Sequence, residues 1–177
     1  MAPMENIHIR KVRQAEAEQL QQISRQTFFE TFAAYNTEAN MRRYLDKDFS
    51  LDKLTAELAN PDAQFYFAWL NDAVIGYLKL NFGPAQTAIK DENTLEIERI
   101  YVLKDYHGKK VGQLLFEKAM QVARAQKAAY VWLGVWEENV RAINFYKKQG
   151  FNEFDKHIFM LGDDAQTDLL MRLPLQA

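Results

Sequence analysis

Hydrophobic and polar positions change period several times along this chain, and each change marks an element. Residues 7–12 alternate and predict a first strand. From residue 15 to about 35 the spacing is helical with few breakers. Residues 37–45 and 51–58 predict two shorter helices, with Ser50 at the N-cap of the second. Asn60-Pro61-Asp62 stops this helical run. Residues 64–70 and 73–82 are strands joined by the hairpin-like turn Asn71-Asp72, and Gly83-Pro84 ends the second. Residues 95–102 form a fourth strand, rich in β-branched and aromatic residues with polar ones interleaved. Residues 111–127 read as a long helix with Val111, Leu114, Leu115, Ala119 and Val122 on one face. A fifth strand at 129–136 leads to a helix at 139–149, with Asn139 as its N-cap and Gly150 at its end. Residues 151–159 and 167–173 make a closing strand pair around the polar loop Gly162-Asp163-Asp164. Strands and helices alternate in the second half, which predicts a mixed α/β sheet. With no repeat, low-complexity tract or linker, a single domain over residues 1–177 is expected.

The stretch LEIERIYVLKDYHGKKVG, residues 95–112, carries the most chemistry. It runs from a strand through a basic, glycine-containing turn into a helix, an arrangement that gathers backbone N–H groups at a helix N-terminus to hold a phosphate. Gly108 and Gly112 shape the turn, and Lys104, Lys109 and Lys110 charge it. As an ordinary connection, the same turn would only solvate its lysines.

A second pattern follows in AYVWLGVWEENVRAINFYKKQGF, residues 129–151. Together the two halves resemble the Gcn5-related N-acetyltransferase (GNAT) superfamily. Its last-helix pattern, Asn-x-x-Ala-x-x-Phe-Tyr-x-x-x-Gly-Phe, is complete here as Asn139, Ala142, Phe145, Tyr146, Gly150 and Phe151. Its acetyl-CoA turn, Gln/Arg-x-x-Gly-x-Gly/Ala, is matched with two departures: His107 stands for Gln or Arg, and Lys110 for the first glycine, with Gly112 kept. TFFETFAAYNTEANMRRYL, GYLKLNFGPAQT and QTDLLM further resemble the PaiA-type spermidine/spermine N-acetyltransferases, over roughly residues 9–173. The resemblance implies a GNAT fold: a mixed, mostly antiparallel central sheet of about seven strands, splayed strands four and five, and helices on both faces.

Composition narrows the chemistry. The 177 residues are 48% hydrophobic, enough for a sizeable core. A net charge of −2 gives no bulk attraction to nucleic acid. There is no cysteine, so disulfides, thiolate metal sites and an acetyl-Cys intermediate are excluded, and acetyl transfer would be direct. His8, His107 and His157 lack metal-ligand spacing, and no metal is expected. With no signal-like leader and no long apolar run, a cytoplasmic protein with no membrane or nucleic-acid partner is expected. A homodimer is left open.

Acetyl-CoA as co-substrate brings phosphates, a pantetheine arm and a thioester. The turn offers its pyrophosphate positive charge from Lys109 and Lys110 and N–H donors from Val111, Gly112 and Gln113 at the positive end of a helix dipole, beside His107 and Gly108. A glycine at 110 would permit positive φ and close approach of a phosphate; lysine there would instead reach a phosphate with its side chain, at some backbone cost. By the resemblance, the backbone of Ile100, Tyr101 and Val102 binds pantetheine, and Asn139 both caps its helix and hydrogen-bonds the arm. An amine acceptor must lose a proton before it attacks. Glu96 and Glu98 share a strand face by two-residue alternation, one that would also carry Ile100 and Val102. Either is a candidate general base, Glu98 being nearer the expected thioester; a salt bridge with Arg99 or a neighbouring strand is the structural alternative. By the resemblance, Tyr146 is the general acid for the leaving thiolate and lies at the cofactor; its spacing from Ala142 also fits core packing.

Phe28, Phe32 and Tyr35 share a helical face that would wall an acceptor site, with Glu30, Glu38 and Glu98 to pair with amines. Core packing explains the aromatics equally well. The PaiA-type resemblance implies a small cationic amine, a polyamine such as spermidine or spermine. A protein N-terminus or lysine as acceptor, or a CoA-binding regulatory module with little catalysis, are the alternatives.

Overall fold

The alternating segments assemble into one seven-stranded sheet ordered β1-β2-β3-β4-β5-β7-β6. The structure, a computed structural model, describes residues 6–175. Strand β1 (Ile7–Lys11) pairs antiparallel with β2 (Ala63–Leu70), β2 with β3 (Ala73–Phe82), and β3 with β4 (Thr94–Val102). Strand β7 (Asp164–Pro174) lies antiparallel between β5 (Tyr130–Trp136) and β6 (Asn152–Leu161). Strands β4 and β5 run parallel, and their ladder is short: Thr94–Glu96 pairs with Tyr130–Trp132. Beyond it the strands part, and the sheet opens as a V between residues 97–102 and 133–136. This is the GNAT sheet the sequence implied.

Helices α1 (Ala17–Phe32), α2 (Glu38–Asp48) and α3 (Leu51–Ala59) cover one face. Helices α4 (Val111–Ala125) and α5 (Val140–Gln149) cover the other. The two-residue period of the strands divides the core accordingly. Phe65, Phe67 and Tyr77 pack toward Leu20, Phe28 and Leu54. Leu78, Leu80, Leu95 and Ile97 pack toward Leu115, Phe116 and Ala119. Each such large apolar side chain contributes about 1.5–3 kcal/mol on burial.

Three elements differ from the sequence expectation. The first helix is shorter, because the chain tightens into 3₁₀ turns at Gln14–Glu16 and Ala33–Tyr35. At the near end the Arg13 N–H donates to Glu16 Oε1 at 2.8 Å, closing the turn before the α-helix begins. In α4 the buried stripe runs through Val111, Leu115, Phe116, Ala119, Met120 and Ala123, with Leu114 and Val122 at its margins, because the bulkier Phe116 and Met120 fill the space over the sheet. Strand β7 starts at Asp164, since the hairpin turns on Gly162 at φ 65° and leaves Asp164 free to pair with Leu161.

The fourth difference matters most for function. Lys79 pairs with Arg99 but Leu80 pairs with Ile97, so Glu98 is an extra residue in β4, a β-bulge. The bulge resets the alternation. Glu96 and Glu98 face the α1–α3 side, where Asn81 reaches both and Arg99 lies over the Phe49 ring. Ile100 and Val102, expected on the glutamate face, instead pack toward α4.

Gly76 on β3 sits opposite Val102, and a Cβ there would meet the Tyr101 carbonyl oxygen at 2.8 Å. Gly76→Ala is therefore expected to destabilise the fold by about 1–3 kcal/mol by overpacking against backbone. Urea unfolding checks this; an unchanged midpoint would mean that β3 and β4 can shift apart freely.

Candidate active site

The V of the sheet continues into a cleft of about 1270 Å³ that reaches from the α4 N-terminus to the aromatic residues of α1. On one side, β4 leads through a short 3₁₀ turn to His107, Gly108, Lys109 and Lys110. Lys110 takes the left-handed conformation, φ 63°, as N-cap of α4, and no side chain caps that helix. The first-turn N–H groups of Val111, Gly112 and Gln113 thus have no intrahelical acceptor. A Cβ on Gly112 would meet nothing within 4 Å. Lys104, Lys110 and His107 line the cleft, whereas Lys109 is exposed outside it. The His107 ring spans the gap to α5: Nε2 lies 2.8 Å from the Val102 carbonyl oxygen, and Nδ1 lies 3.2 Å from Arg141 Nη1. A proton on Nε2 satisfies both contacts, leaving Nδ1 to accept. Gln113 Oε1 accepts from Gln149 Nε2 at 3.1 Å, fastening α4 to α5.

Asn139 Oδ1 accepts from the Ala142 N–H at 3.2 Å and caps α5. About two turns later Tyr146 is buried, its ring 5.5 Å from Phe145 and 5.6 Å from Phe151. Tyr146 belongs to the core and also lines the cleft, and burial pushes its phenol pKa up. Ile100, Tyr101 and Val102 form the cleft wall on β4, across the opening from Leu133, Gly134 and Val135.

The two glutamates of β4 sit in opposite electrostatic settings. Burial alone would raise the Glu98 pKa. The Arg99 guanidinium at 3.2 Å and the Lys79 ammonium at 2.7 Å outweigh it, with a hydrogen bond from Asn81, and hold Glu98 at about 2. Glu57 of α3 completes the cluster, 3.2 Å from Lys79 and 3.5 Å from Arg99. Among the described residues no cation pairs with Glu96. Burial pushes its pKa up, against hydrogen bonds from the Thr87 side chain, Asn81 and the Thr87 N–H.

On the α1 side, Phe28 stacks on Tyr44, ring centroids 4.5 Å apart, and Phe32 packs 5.3 Å from Trp136. Both are buried core residues as well as cleft wall. Tyr35 lies beyond the end of α1, 63% exposed, with its ring edge-on to Trp136 at 4.9 Å. Glu30 lines the cleft, and its Oε1 accepts from the Lys104 N–H at 2.9 Å, tying α1 to the start of the basic turn. Glu38 pairs with Arg42 on the exposed side of α2 and does not line the cleft.

Several cleft residues were not singled out by sequence reasoning: Tyr44, Trp136, His157, Phe159 and Asp168. Asp168 had a signal, since an aspartate interrupts a run otherwise suited to a strand. Among the described residues, no group of three or more His, Asp and Glu is placed to hold a metal, and no helix is long and apolar enough to cross a membrane.

A sheet split between parallel fourth and fifth strands, with an uncapped helix facing the split, defines the class of N-acetyltransferase folds. The model of the acetyltransferase (GNAT) family matches residues 17–151, and the chain belongs to that family. It is 41% identical over 97% of its length to an uncharacterized N-acetyltransferase of Lactobacillus delbrueckii subsp. lactis, covering 99% of that protein. It is 26% identical over 85% of its length to the spermidine N(1)-acetyltransferase of Thermoplasma acidophilum, covering 91% of it. The crystal structure of the PaiA N-acetyltransferase from Thermoplasma acidophilum in complex with coenzyme A has the same fold, with a TM-score of 0.78 at 24% identity, over 96% of this chain and 99% of that one. The chain is accordingly an N-acetyltransferase.

Two outcomes follow from the geometry. Gly112→Leu fills the open space before the helix N-terminus and should raise the dissociation constant for coenzyme A at least about 10-fold. Stability should hold or rise, because leucine is the better helix former. Calorimetry and a melting curve together test it, and unchanged affinity would move the phosphate site elsewhere. Glu98→Gln leaves two buried cations, Lys79 and Arg99, with only Glu57 between them and should destabilise the fold by about 3 kcal/mol. The parent's share of stability from Glu98 is fully present above the unfolded value of 4.5 and is lost as pH falls toward about 2, because its folded pKa is depressed. The variant should show a flatter acid limb in denaturation against pH; an identical limb would refute the ion-pair role.

Proposed function

We propose that the 177-residue chain acts as a single acetyltransferase domain that moves the acetyl group of acetyl-CoA directly to a cationic primary amine, a polyamine such as spermidine or spermine in the first instance. The observation that carries this reading is the opening between β4 and β5, closed at one end by the three-residue ladder and faced at the other by the uncapped α4. The free strand edges at 97–102 suit the amide groups of pantetheine. The N–H groups of Val111, Gly112 and Gln113, with Lys104 and Lys110, suit its phosphates. The likeness to the Thermoplasma spermidine acetyltransferase supports the acceptor class.

In this reading Tyr146 gives its proton to the departing thiolate. Burial raises the phenol pKa and keeps the hydroxyl protonated at neutral pH, so a donor stands in place as negative charge develops on sulfur, at the cost of a weaker acid. Of the two candidate bases, Glu96 suits the task better: its raised pKa matches a proton acceptor, whereas Glu98 is held as a carboxylate by two cations. Glu96 is buried, so it takes the amine proton through a water. Glu98 keeps a permanent negative charge beside the reacting centre.

Release of free CoA from acetyl-CoA on addition of a panel of amines tests the activity. Transfer to spermidine should exceed transfer to a neutral arylamine, and the reverse order would assign another acceptor class. Tyr146→Phe keeps the ring and removes the hydroxyl. Turnover should fall about 10²–10⁴-fold with coenzyme A affinity little changed. Turnover within about threefold of the parent, less than about 1 kcal/mol of barrier, would return Tyr146 to a packing role.

A further inference from the structure

Most acidic groups of the cleft are already matched. Glu98 has Lys79 and Arg99, Glu96 has Thr87 and Asn81, and Glu30 accepts from Lys104. Glu138, at the mouth, is exposed to water. Asp168 on β7 differs from all of these. It is half-buried in the cleft wall, and among the described residues it receives no hydrogen bond and makes no ion pair.

Its position follows from the register. Asp168 sits directly opposite Trp136 on β5 and His157 on β6, so all three share the sheet face turned toward α1. The carboxylate leans across β5 at Gly134: a methyl group built there would meet Asp168 Oδ2 at 3.4 Å. Gly134 is the exposed residue between buried Trp132 and Trp136, and it faces the opening between β4 and β5. The missing side chain at 134 is what lets the carboxylate reach the cleft.

A half-buried carboxylate without a partner is destabilised as an anion. Burial pushes the Asp168 pKa up to about 6, with His157 pulling the other way. A cation supplied from outside would restore its balance. Trp136, its partner across the ladder, and Tyr35, edge-on to Trp136 in the same cleft, form an aromatic corner, and ring faces attract ammonium groups. Asp168 lies about 13 Å beyond Glu96 along the strand direction, the rise of four residues between Trp132 and Trp136, and two strands across. That reach suits an acceptor with charges at both ends of a flexible chain.

We propose that Asp168 binds an ammonium group of the acceptor, beside Trp136 and Tyr35, and so makes the site select a cationic amine over a neutral one. The inference rests on the acetyltransferase reading above. It is tested by steady-state kinetics of Asp168→Asn with spermidine and with a neutral arylamine. We expect kcat/KM for spermidine to fall at least 10-fold, mainly through KM, with the arylamine rate and the coenzyme A affinity within twofold of the parent. The melting temperature should hold or rise, because an unmatched buried charge is removed. Asp168→Glu, which keeps the charge, should recover part of the preference, and Asp168→Ser gives the same test should the Asn variant melt early. A spermidine preference unchanged within twofold in both neutral variants overturns the assignment of Asp168 and leaves the acetyltransferase reading standing. A parent enzyme that moves acetyl to no amine overturns both.

Discussion

The ion cluster under the β4 bulge sets the geometry of everything around it. Two acids, Glu57 and Glu98, face two bases, Lys79 and Arg99, in a largely buried pocket between α3 and the middle of the sheet. Removing any one leaves an unmatched charge in a poorly solvated place. Four buried charges add little net stability over apolar packing, but they hold their elements in one arrangement. Here the cluster clamps the extra residue of the bulge, joins α3 to two adjacent strands and directs Glu96 and Glu98 to one side of the opening. The same bulge turns Ile100 and Val102 toward α4, so the wall of the cleft is apolar on one side of β4 and charged on the other.

The two faces of the sheet thereby take different tasks. The α4 and α5 face combines packing with the basic turn: Tyr146, Leu115 and Phe151 belong to one cluster, and the turn that begins α4 is braced by His107 against β4 and α5. The α1–α3 face is a wall of rings. Tyr44, Phe28, Phe32 and Trp136 pack ring against ring in series, and their inner sides form core while their outer edges form cleft. For these residues packing and function are not rival explanations.

Much of this was legible in the sequence, and the reasons are local. Period and punctuation identify elements, so the strands, helices, Ser50 and Asn139 caps and the Asn71 turn could all be read from short windows. The pattern around Asn139, Tyr146 and Gly150 identified the family because its spacing is tied to one helix. The bulge was not legible, because one inserted residue leaves no mark on composition; it appears only when β3 is laid beside β4. Asp168 and Trp136 escaped for a similar reason. They meet through the β5–β7 ladder, across 32 positions of chain, and neither carries a motif. The pairing of Glu98 with Arg99 was a named alternative in the sequence, but the contributions of Lys79 and Glu57 needed the third dimension.

The brevity of the β4–β5 ladder has a mechanical consequence. Among the described residues, the ladder joining strands β1–β4 to strands β5–β7 is only three residue pairs long, extended by the Ala129 N–H donating to the Asn93 carbonyl, and the remaining cohesion comes from side chains of α4 and α5 on one face and of α1 and α2 on the other. The sheet is in effect two stiff plates on a narrow hinge line. A ligand lying along both plates would act as a splint, so filling and emptying the cleft would alternately stiffen and loosen the molecule, and the departure of product would coincide with its most compliant state.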